Sequence, residues 1–346
     1  MEILFTDSPA IQQEWHANSI NHYFNNLVDT ATHLNIATGY ITNDSIAALK
    51  QIVEFRKGAL KLSLFIGMHY AEGFTKPQYK ALKELGNYMK RKEIGQIMLS
   101  PHAPFHGKMY SFMNNEKCLA SFIGSSNLGS FTGTSQNNIE ADVMLKHLEG
   151  IVINDYIGKI TNSLGQDILL LPEITKFKTA DKKLLRGFSH VKQLNENEVK
   201  KIADMTTGEY VDIPLKTEAK SNLNTYFGKG KQKDKYSPRG WYEVEIIVNK
   251  NLKNRELIPS KEAGPFTVVT NDGYEFLCST QGDYSKNFRS DKNLKILGKW
   301  IKGQMENAGA LKIGQPVTKE TLEKFGKKHI RLEKTNSAIF LMSLVP

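Results

Sequence analysis

The sequence predicts an α/β protein with two domains: an N-terminal mixed sheet with flanking helices, followed by a small C-terminal β-barrel. Three observations lead to this prediction. The 346 residues are enough for two hydrophobic cores. Strand and helix signals alternate along the first half, which is the pattern of an α/β sheet. Short β-rich runs separated by turns dominate the second half, and one longer helix interrupts them.

Short apolar runs and helix-capping signals define the elements of the first half in chain order. Apolar, β-rich runs predict strands at 34–41, 60–67, 94–99, 110–112, 117–123 and 141–145. Helical periodicity predicts helices at 46–55, 76–92 and 152–164. The first helix follows a capping signal at 43–45, and the second follows Thr75 with Pro77 in its first turn. This alternation implies a sheet of mixed strand direction.

The second half has a different pattern. Strands are predicted at 210–215, 241–248, 266–270, 274–278, 330–332 and 338–344, and helices at 293–308 and 318–325. The run Asn271-Asp272-Gly273 predicts a tight turn. Charged residues follow Pro172, and a helix is predicted at 195–205. We therefore predict domains at 1–175 and 207–346, joined by a helical linker at 176–206.

Charge is distributed unevenly between the two halves. Residues 1–178 contain 16 Lys+Arg and 16 Asp+Glu, so all of the net charge of +10 lies in the remainder of the chain. This asymmetry indicates a polyanion-binding module attached to a neutral domain. The alternative is a basic domain whose charge serves solubility alone.

Cysteine content and hydropathy exclude several classes of protein. The two cysteines, Cys118 and Cys278, cannot form a disulfide framework or a zinc site by themselves, which fits a reducing cytoplasm. No apolar run is long enough for a membrane span. The N-terminal residues lack the pattern of a signal peptide. We expect a cytoplasmic protein that does not bind membranes.

Three polar motifs in the first half form a candidate site for cutting phosphodiesters. They are HGK at 106–108, GSSN at 124–127 and NIE at 138–140. Side chains two residues apart in a strand point the same way, so His106 and Lys108 are expected on one face. An imidazole, an ammonium, an amide and a carboxylate provide a nucleophile and charge stabilisation without a metal.

These motifs resemble the half-site of the phospholipase D superfamily. In that superfamily two half-sites meet: one histidine attacks phosphorus and forms a phosphohistidine, and the other protonates the leaving oxygen. The resemblance implies that His106 is the nucleophile or the acid and that Lys108 and Asn127 bind the non-bridging oxygens. Ser125 adds a further donor, and Glu140 orients the imidazole.

The chain departs from the superfamily pattern at one position. The superfamily has an aspartate five residues after the lysine, where this chain has Met113. This difference disfavours the lipid-cleaving enzymes and is tolerated in a nuclease branch. Because only one half-site is visible, we predict a homodimer that forms one active site through the N-terminal domain. A weaker candidate, Asp212 with Glu218 and Lys220, loosely resembles a metal-dependent nuclease centre.

Two polar segments of the second half are candidate DNA-binding arms, at about 218–241 and 279–293. Lysine neutralises phosphates, whereas Arg, Asn, Gln and Asp read base edges. Solvated loops without a ligand are the alternative. The candidate DNA-binding residues are Asn224, Lys229, Lys231, Lys233, Lys235, Arg239, Trp241, Gln281, Asp283, Tyr284, Lys286, Asn287 and Arg289.

The second half resembles the B3-like DNA-binding domain of certain restriction endonucleases. The resemblance lies in RGWY at 239–242, LGKWIK at 297–302 and the segment 317–322. In that fold two arms grip the major groove. A phospholipase D-like nuclease domain followed by a B3-like domain is the arrangement of the BfiI and NgoFVII/NgoAVII types of restriction endonuclease, and the resemblance covers nearly the whole chain.

The resemblance implies a type II-like restriction endonuclease that cuts double-stranded DNA at specific sequences. We expect no cofactor in the cleavage step. The chain has no GxxxxGK[ST] phosphate loop, so any ATP would be used by a separate helicase-like ATPase subunit. A cognate DNA methyltransferase is expected in the same system. The alternatives are a non-specific or repair nuclease, a DNA-binding regulator with an inactive nuclease domain and, least favoured, a phospholipase.

Overall fold

The structure is a computed structural model that describes residues 1–5, 20–131, 140–179, 183–228 and 235–346. The chain divides into two units. The first comprises residues 1–180 together with 230–238, and the second comprises 181–229 together with 239–346.

Among the described residues of the first unit, eight strands form one sheet in the order β1-β7-β6-β5-β2-β3-β4-β8. The strands are Glu2–Phe5 (β1), His33–Thr38 (β2), Lys61–Ile66 (β3), Gly95–Leu99 (β4), Lys108–Asn114 (β5), Lys117–Gly124 (β6), Ala141–Leu145 (β7) and Gln166–Asp167 (β8). The helices are Ile20–Thr30 (α1), Asn43–Phe55 (α2), His69–Glu72 (α3), Lys76–Lys92 (α4), Leu128–Phe131 (α5) and His147–Leu164 (α6).

Strand direction in this sheet is mixed, as predicted. Strands β2, β3 and β4 run parallel and are joined by helical connections, whereas β5, β6 and β7 form antiparallel pairs. The parallel strands are nearly continuous in apolar residues because both of their faces are covered. In β2, for example, Leu34, Ile36 and Ala37 are all fully buried.

Capping explains where the helices of the first unit begin. Helix α4 has the predicted bounds, because Thr75 and Gln78 form a reciprocal capping box. Helix α2 begins earlier than predicted: Thr42 is the N-cap, and the residues predicted to cap the helix form its first turn. Helix α6 also begins earlier, at His147, because Ser121 Oγ on β6 donates 2.8 Å to Gly150 O and fixes that first turn.

In the second unit, the described strands form a curled half-barrel in the order β10-β15-β16-β12-β13-β14-β11, and β9 pairs with β13. The strands are Lys192–Gln193 (β9), Thr206–Pro214 (β10), Ile246–Ile247 (β11), Phe266–Thr270 (β12), Tyr274–Gln281 (β13), Asn287–Ser290 (β14), His329–Thr335 (β15) and Ile339–Val345 (β16). The helices are Glu196–Ala203 (α7), Lys295–Asn307 (α8) and Lys319–Phe325 (α9), with short 3-10 turns at Thr225–Phe227, Arg255–Leu257, Lys261–Ala263 and Asp283–Ser285.

Two predictions for this half are corrected. The strand predicted at 241–248 shrinks to β11, because the backbone N–H of Ile247 donates to the Asn222 side chain and only two residues pair with β14. The predicted linker 176–206 is not a separate segment. Its strand β9 joins β13, and Leu184 packs against Gly303 of α8, where a Cβ would lie 2.7 Å from the leucine side chain.

A buried ionic cluster fixes the segment at 241–242 against α8. Glu306 accepts hydrogen bonds from Trp241 Nε1 at 2.7 Å and from Tyr242 OH at 2.9 Å. Lys302 Nζ donates 2.7 Å to Trp241 O and lies 4.0 Å from the centre of the indole ring. Burial lowers the pKa of Lys302 to about 7, although Glu306 opposes this shift. The cluster therefore holds a protonatable lysine inside the second unit.

Lys302 predicts a pH dependence of stability. Between about pH 7 and the ordinary lysine pKa of 10.5, Lys302 is protonated to a greater extent in the unfolded chain than in the folded chain. The free energy of unfolding therefore rises with pH in this range. The slope from one such group is at most about 1.4 kcal/mol per pH unit. Lys302→Met should remove this rise, as measured by urea unfolding at pH 7 and pH 9. In Lys299→Met the slope should persist, and an undiminished slope in Lys302→Met would contradict the assignment.

Candidate functional site

His106 and Lys108 meet at one edge of the first sheet. Lys108 is the first residue of β5 and pairs in register with Thr38, the last residue of β2. Its ammonium is buried and donates 2.8 Å to His106 O, and Nζ lies 3.3 Å from His106 Nδ1 and 3.2 Å from Nε2. The His106 side chain is exposed. The structure therefore brings an accessible imidazole and a sequestered cation into contact.

Two glycines allow the His106 segment to approach the sheet closely. A Cβ at Gly67 would lie 2.2 Å from Phe105 O, which no side chain tolerates. A Cβ at Gly39 would lie 3.2 Å from the His106 Cα atom. These glycines follow β3 and β2 directly, so the carboxyl ends of two parallel strands support the loop that carries His106.

Tyr40, which sequence reasoning did not select, forms one wall beside His106. Their rings meet edge to face with centroids 5.5 Å apart. The Tyr40 hydroxyl donates 2.6 Å to Glu72 Oε1, and this hydrogen bond raises the pKa of Tyr40. Glu72 also lies 3.6 Å from Lys178 Nζ. The imidazole therefore lies against an aromatic ring whose own orientation is fixed.

Ser125 and Glu140 form a second pair in this site. Ser125 Oγ donates to Glu140 Oε2 and accepts a 3.1 Å hydrogen bond from Ala141 N. Burial lowers the pKa of Lys108, and the negative charge of Glu140 opposes that shift. The Glu140 carboxylate thus favours the charged form of Lys108 and is itself held by Ser125. The Ser125 hydroxyl, which was predicted to donate to phosphate, donates to Glu140 in this structure.

Asn127 is half-buried and lies directly before α5. Within the part of the chain that the structure describes, its Oδ1 atom is buried and has no hydrogen-bond partner. Asn138, the first residue of the NIE motif, lies outside the described residues.

The GSSN loop is held from below by residues that the sequence reasoning missed. Asp142 is 2% exposed and accepts from Ser126 N at 3.3 Å and from Ser126 Oγ at 2.5 Å. The buried Tyr110 hydroxyl donates 2.8 Å to Ser126 O. Burial raises the pKa of Asp142, and the Ser126 hydrogen bonds counteract this shift. Glu140 lies directly before β7, and its spacing of two from Asp142, which is typical of side chains on one face of an extended segment, is the signal that could have identified Asp142.

Met113 occupies the position where the superfamily motif has an aspartate. It is 7% exposed and pairs with Cys118 on β6, within the hairpin formed by β5 and β6. The carboxylates near the HGK and GSSN motifs come instead from Glu140 and Asp142 at the start of β7.

The predicted DNA-binding residues divide into three groups. Lys229, Lys231 and Lys233 lie outside the described residues. Asn224 and Trp241 are 1% exposed, and the prediction that these two side chains contact DNA is corrected. Asn224 exchanges two hydrogen bonds with the Val317 backbone, and the Trp241 indole donates to Glu306, as described above. Their polar atoms therefore serve the core of the second unit.

The remaining candidates are accessible. Fully exposed are Lys235, Asp283, Tyr284 and Lys286; partly exposed are Arg239, Gln281, Asn287 and Arg289. The two arginines lie near acidic partners, with Arg239 Nη1 3.6 Å from Glu243 and Arg289 Nη1 3.0 Å from Glu245. In both arginines the Nε atom is buried and has no hydrogen-bond partner among the described residues. Among the described residues, each guanidinium thus has an Nε–H donor without an acceptor.

The weaker metal-site candidate does not fit the structure. Asp212 forms a two-pronged ion pair with Arg331, at 2.7 and 2.8 Å, across strands β10 and β15. Glu218 accepts from Asn222 Nδ2 at 2.8 Å. Both carboxylates therefore have structural partners. No group of three or more His, Cys, Asp or Glu side chains in the described ranges is arranged to hold a metal ion.

None of the helices in the described part of the chain is both long enough and apolar enough to span a bilayer.

The fold and the site define an α/β protein with a histidine and lysine site on a mixed sheet, followed in the chain by a curled β-domain. Family comparisons give the particular class. Residues 18–171 match the NgoFVII restriction endonuclease N-terminal phospholipase D domain, and residues 201–336 match the NgoFVII C-terminal B3-like DNA-binding domain. The chain belongs to the phospholipase D-type restriction endonucleases that carry a C-terminal B3-like DNA-binding domain.

Solved structures resemble the chain more remotely. Nuc from Salmonella typhimurium, a phospholipase D family member, is 17% identical, with 48% of this chain and 95% of that chain covered and a TM-score of 0.33. NucT from Helicobacter pylori is 16% identical, with coverages of 47% and 97% and a TM-score of 0.32. Phosphatidylserine synthase from Haemophilus influenzae is 12% identical, with coverages of 51% and 42% and a TM-score of 0.35. No curated protein sequence matches significantly, so the assignment depends on the two family matches.

Asp142 should stabilise the folded conformation of the GSSN loop. Asp142→Ala leaves two buried donors of Ser126 without an acceptor, which costs about 1–3 kcal/mol. Asp142→Asn keeps one acceptor oxygen and should cost less. Urea unfolding measures both changes, with Asp155→Ala, an exposed acidic residue of α6, as the control. Equal stability of Asp142→Ala and Asp155→Ala would contradict the role of Asp142.

Proposed function

We propose that the protein is a sequence-specific restriction endonuclease that hydrolyses DNA phosphodiesters through a covalent phosphohistidine at His106. The contact between the exposed His106 ring and the buried Lys108 ammonium carries this proposal. A DNA-binding domain on the same chain supports DNA as the substrate. The excess positive charge of the second half favours the same polyanion.

The proposed reaction has two steps. A ring nitrogen of His106 forms a bond to phosphorus while the bond to the leaving oxygen breaks, and a second histidine donates a proton to that oxygen. Water then attacks the phosphohistidine and releases His106. Lys108 stabilises the charge that develops on the non-bridging oxygens, and Asn127 donates from its amide nitrogen to the same oxygens. Ser125 positions Glu140 in this scheme.

The second histidine is proposed to come from another copy of the chain. Each chain offers one His-x-Lys motif that is followed by the GSSN and NIE motifs, so the two histidines of the reaction are proposed to come from two chains around one phosphorus. One active site in a homodimer cuts one strand at a time, and double-strand cleavage therefore proceeds sequentially. The N-terminal domain carries the site and is proposed to form the dimer.

No metal or other cofactor is needed in this scheme, because nucleophile, acid and charge stabiliser are all side chains. A separate ATP-hydrolysing subunit and a cognate DNA methyltransferase are proposed partners within a restriction-modification system. The absence of a phosphate loop from the sequence favours a separate ATPase if ATP is used.

Replacement of His106 tests the chemistry. His106→Ala should reduce DNA cleavage at least about a thousandfold, because the bond-forming group is lost. His102→Ala is a matched control: His102 is also exposed, and its Nε2 lies 3.2 Å from Gln166 Nε2. Cleavage of plasmid DNA in EDTA measures both variants. Cleavage that disappears in EDTA, together with an active His106→Ala variant, would refute the mechanism.

The same assay separates the alternative functions. Fragments with defined ends support sequence-specific cleavage, whereas random ends indicate a non-specific or repair nuclease. DNA binding without cleavage under all conditions indicates a regulator with an inactive nuclease domain.

A mixed dimer tests whether two chains share the site. Wild-type chains and His106→Ala chains, carrying different affinity tags, are co-expressed and the heterodimer is purified. If both histidines serve one phosphorus, the heterodimer should lose at least about a hundredfold in cleavage rate. Independent sites would instead leave about half of the wild-type rate, and a monomeric protein in sedimentation would also exclude a shared site.

A further inference from the structure

Tyr284 has the most exposed large hydrophobic side chain among the described residues. It lies at a hairpin tip of the second unit. Strands β13 and β14 pair in register up to Gln281 and Asn287, and a five-residue loop at 282–286 connects them. Tyr284, within this loop, is 90% exposed. Its ring therefore projects from the end of the hairpin that was predicted to form the second DNA-binding arm.

The loop holds Tyr284 in a backbone conformation that side chains rarely adopt. Gly282 has φ of 74°, Tyr284 has 57° and Ser285 has 51°, so two consecutive non-glycine residues are left-handed. Glycine or asparagine adopts this region most easily. Neither packing nor backbone preference accounts for a tyrosine at this position. Such outliers concentrate at functional sites, where the surrounding structure maintains them.

Contacts at the base of the loop maintain this conformation. Ser285 is buried, its carbonyl accepts 2.8 Å from Arg255 Nη2, and its hydroxyl accepts 2.9 Å from Lys261 N. Lys286 O accepts 2.8 Å from Val248 N. The residue on the C-terminal side of Tyr284 is thus anchored at two points. A ring presented on an anchored loop loses little conformational freedom when it binds a ligand.

The charges around the ring indicate which part of DNA it meets. Asp283 is adjacent and exposed, and a carboxylate at the tip repels phosphates but accepts a hydrogen bond from the cytosine amino group. Gln281 and Asn287 flank the loop and carry amides that hydrogen-bond to base edges. Lys286, which suits a phosphate contact, lies at the far end of the loop.

We propose that the Tyr284 ring is a specificity-determining contact that packs against the edge of a base within the recognised sequence. This inference rests on the proposed function, namely that the second unit reads duplex DNA. The ring supplies a rigid apolar surface, and the side chains of Gln281, Asp283 and Asn287 supply hydrogen bonds around it. Tyr284 acts in recognition and has no part in phosphodiester chemistry.

Selection from random DNA tests this proposal with full-length protein. Wild type, Tyr284→Phe, Tyr284→Asn and the control Tyr156→Ala, an exposed tyrosine of the first unit, are each incubated with duplexes that contain 20 random base pairs. Enriched duplexes are sequenced, and affinities for the wild-type consensus and for a scrambled duplex are measured at one salt concentration. Urea unfolding is measured for all four proteins.

Tyr284→Phe and Tyr156→Ala should select the wild-type consensus with unchanged affinity. Tyr284→Asn should bind the consensus duplex about tenfold more weakly and lose preference at one or more positions. Its affinity for the scrambled duplex should be unchanged, and its stability should be equal or higher because asparagine relieves the strained backbone. Weaker consensus binding in a protein that is not destabilised separates recognition from folding.

Equal consensus affinity of Tyr284→Asn and wild type would overturn the inference while leaving sequence-specific binding intact. Equal losses in the Phe and Asn variants would assign the contact to the hydroxyl group and would also overturn the role of the ring. If the wild type enriches no consensus, the proposed sequence-specific function itself fails, and this inference fails with it.

Discussion

The candidate site depends on one buried cation. Lys108 lies at the start of β5, where the sheet buries its ammonium beside the exposed His106 ring, and Glu140 compensates part of the cost of that burial. A charge in a low-dielectric environment interacts more strongly with a phosphate than a solvated one does. Three sets of contacts hold the groups around this lysine in fixed positions. They involve the glycines that follow β2 and β3, the Tyr40 ring against His106 and the Asp142 carboxylate that accepts from Ser126.

The two parts of the chain differ in the number and the location of their charged residues. Across residues 1–178, positive and negative residues balance, and the charged side chains of the candidate site, Lys108, Glu140 and Asp142, are buried. In the second unit the surplus cations are mostly at the surface, where they attract a polyanion at long range. The buried charges of that unit, Lys302 and Glu306, instead fix the backbone next to Arg239, one of the accessible candidates. The accessible candidate Arg239 therefore lies two residues from a backbone carbonyl that the buried Lys302 holds.

The sequence predicted the features that depend on local signals. The capping box of α4, the mixed strand direction and the strands at 141–145 and 266–270 follow from periodicity and from short-range hydrogen bonds. The contact of His106 with Lys108 follows from their spacing alone. The spacing of Asp142 from Glu140 marks it as a candidate, but its role depends on Ser126, a residue 16 positions earlier that lies just beyond the β6–β7 pair formed by Gly124 and Asp142.

Errors arose where tertiary contacts outweighed composition. Trp241 and Asn224 lie in a basic, aromatic segment typical of a nucleic-acid surface, but partners at Glu306 and Val317 draw both side chains into the core. The strand predicted from Trp241 onward fails for a related reason, since Asn222 takes a backbone bond that a neighbouring strand would otherwise make. Long-range hydrogen bonds of this kind leave no trace in periodicity.

In the proposed mechanism, His106 becomes covalently attached to phosphorus during DNA cleavage. Rapid acid-free quenching of the protein with a cleavable duplex, followed by proteolysis and mass spectrometry, measures this directly. A nucleotide or phosphate adduct on His106, absent from the Lys108→Met variant and without metal ions in the buffer, is the predicted result. DNA turnover with no adduct at any quench time, or an adduct on a different residue, would contradict it.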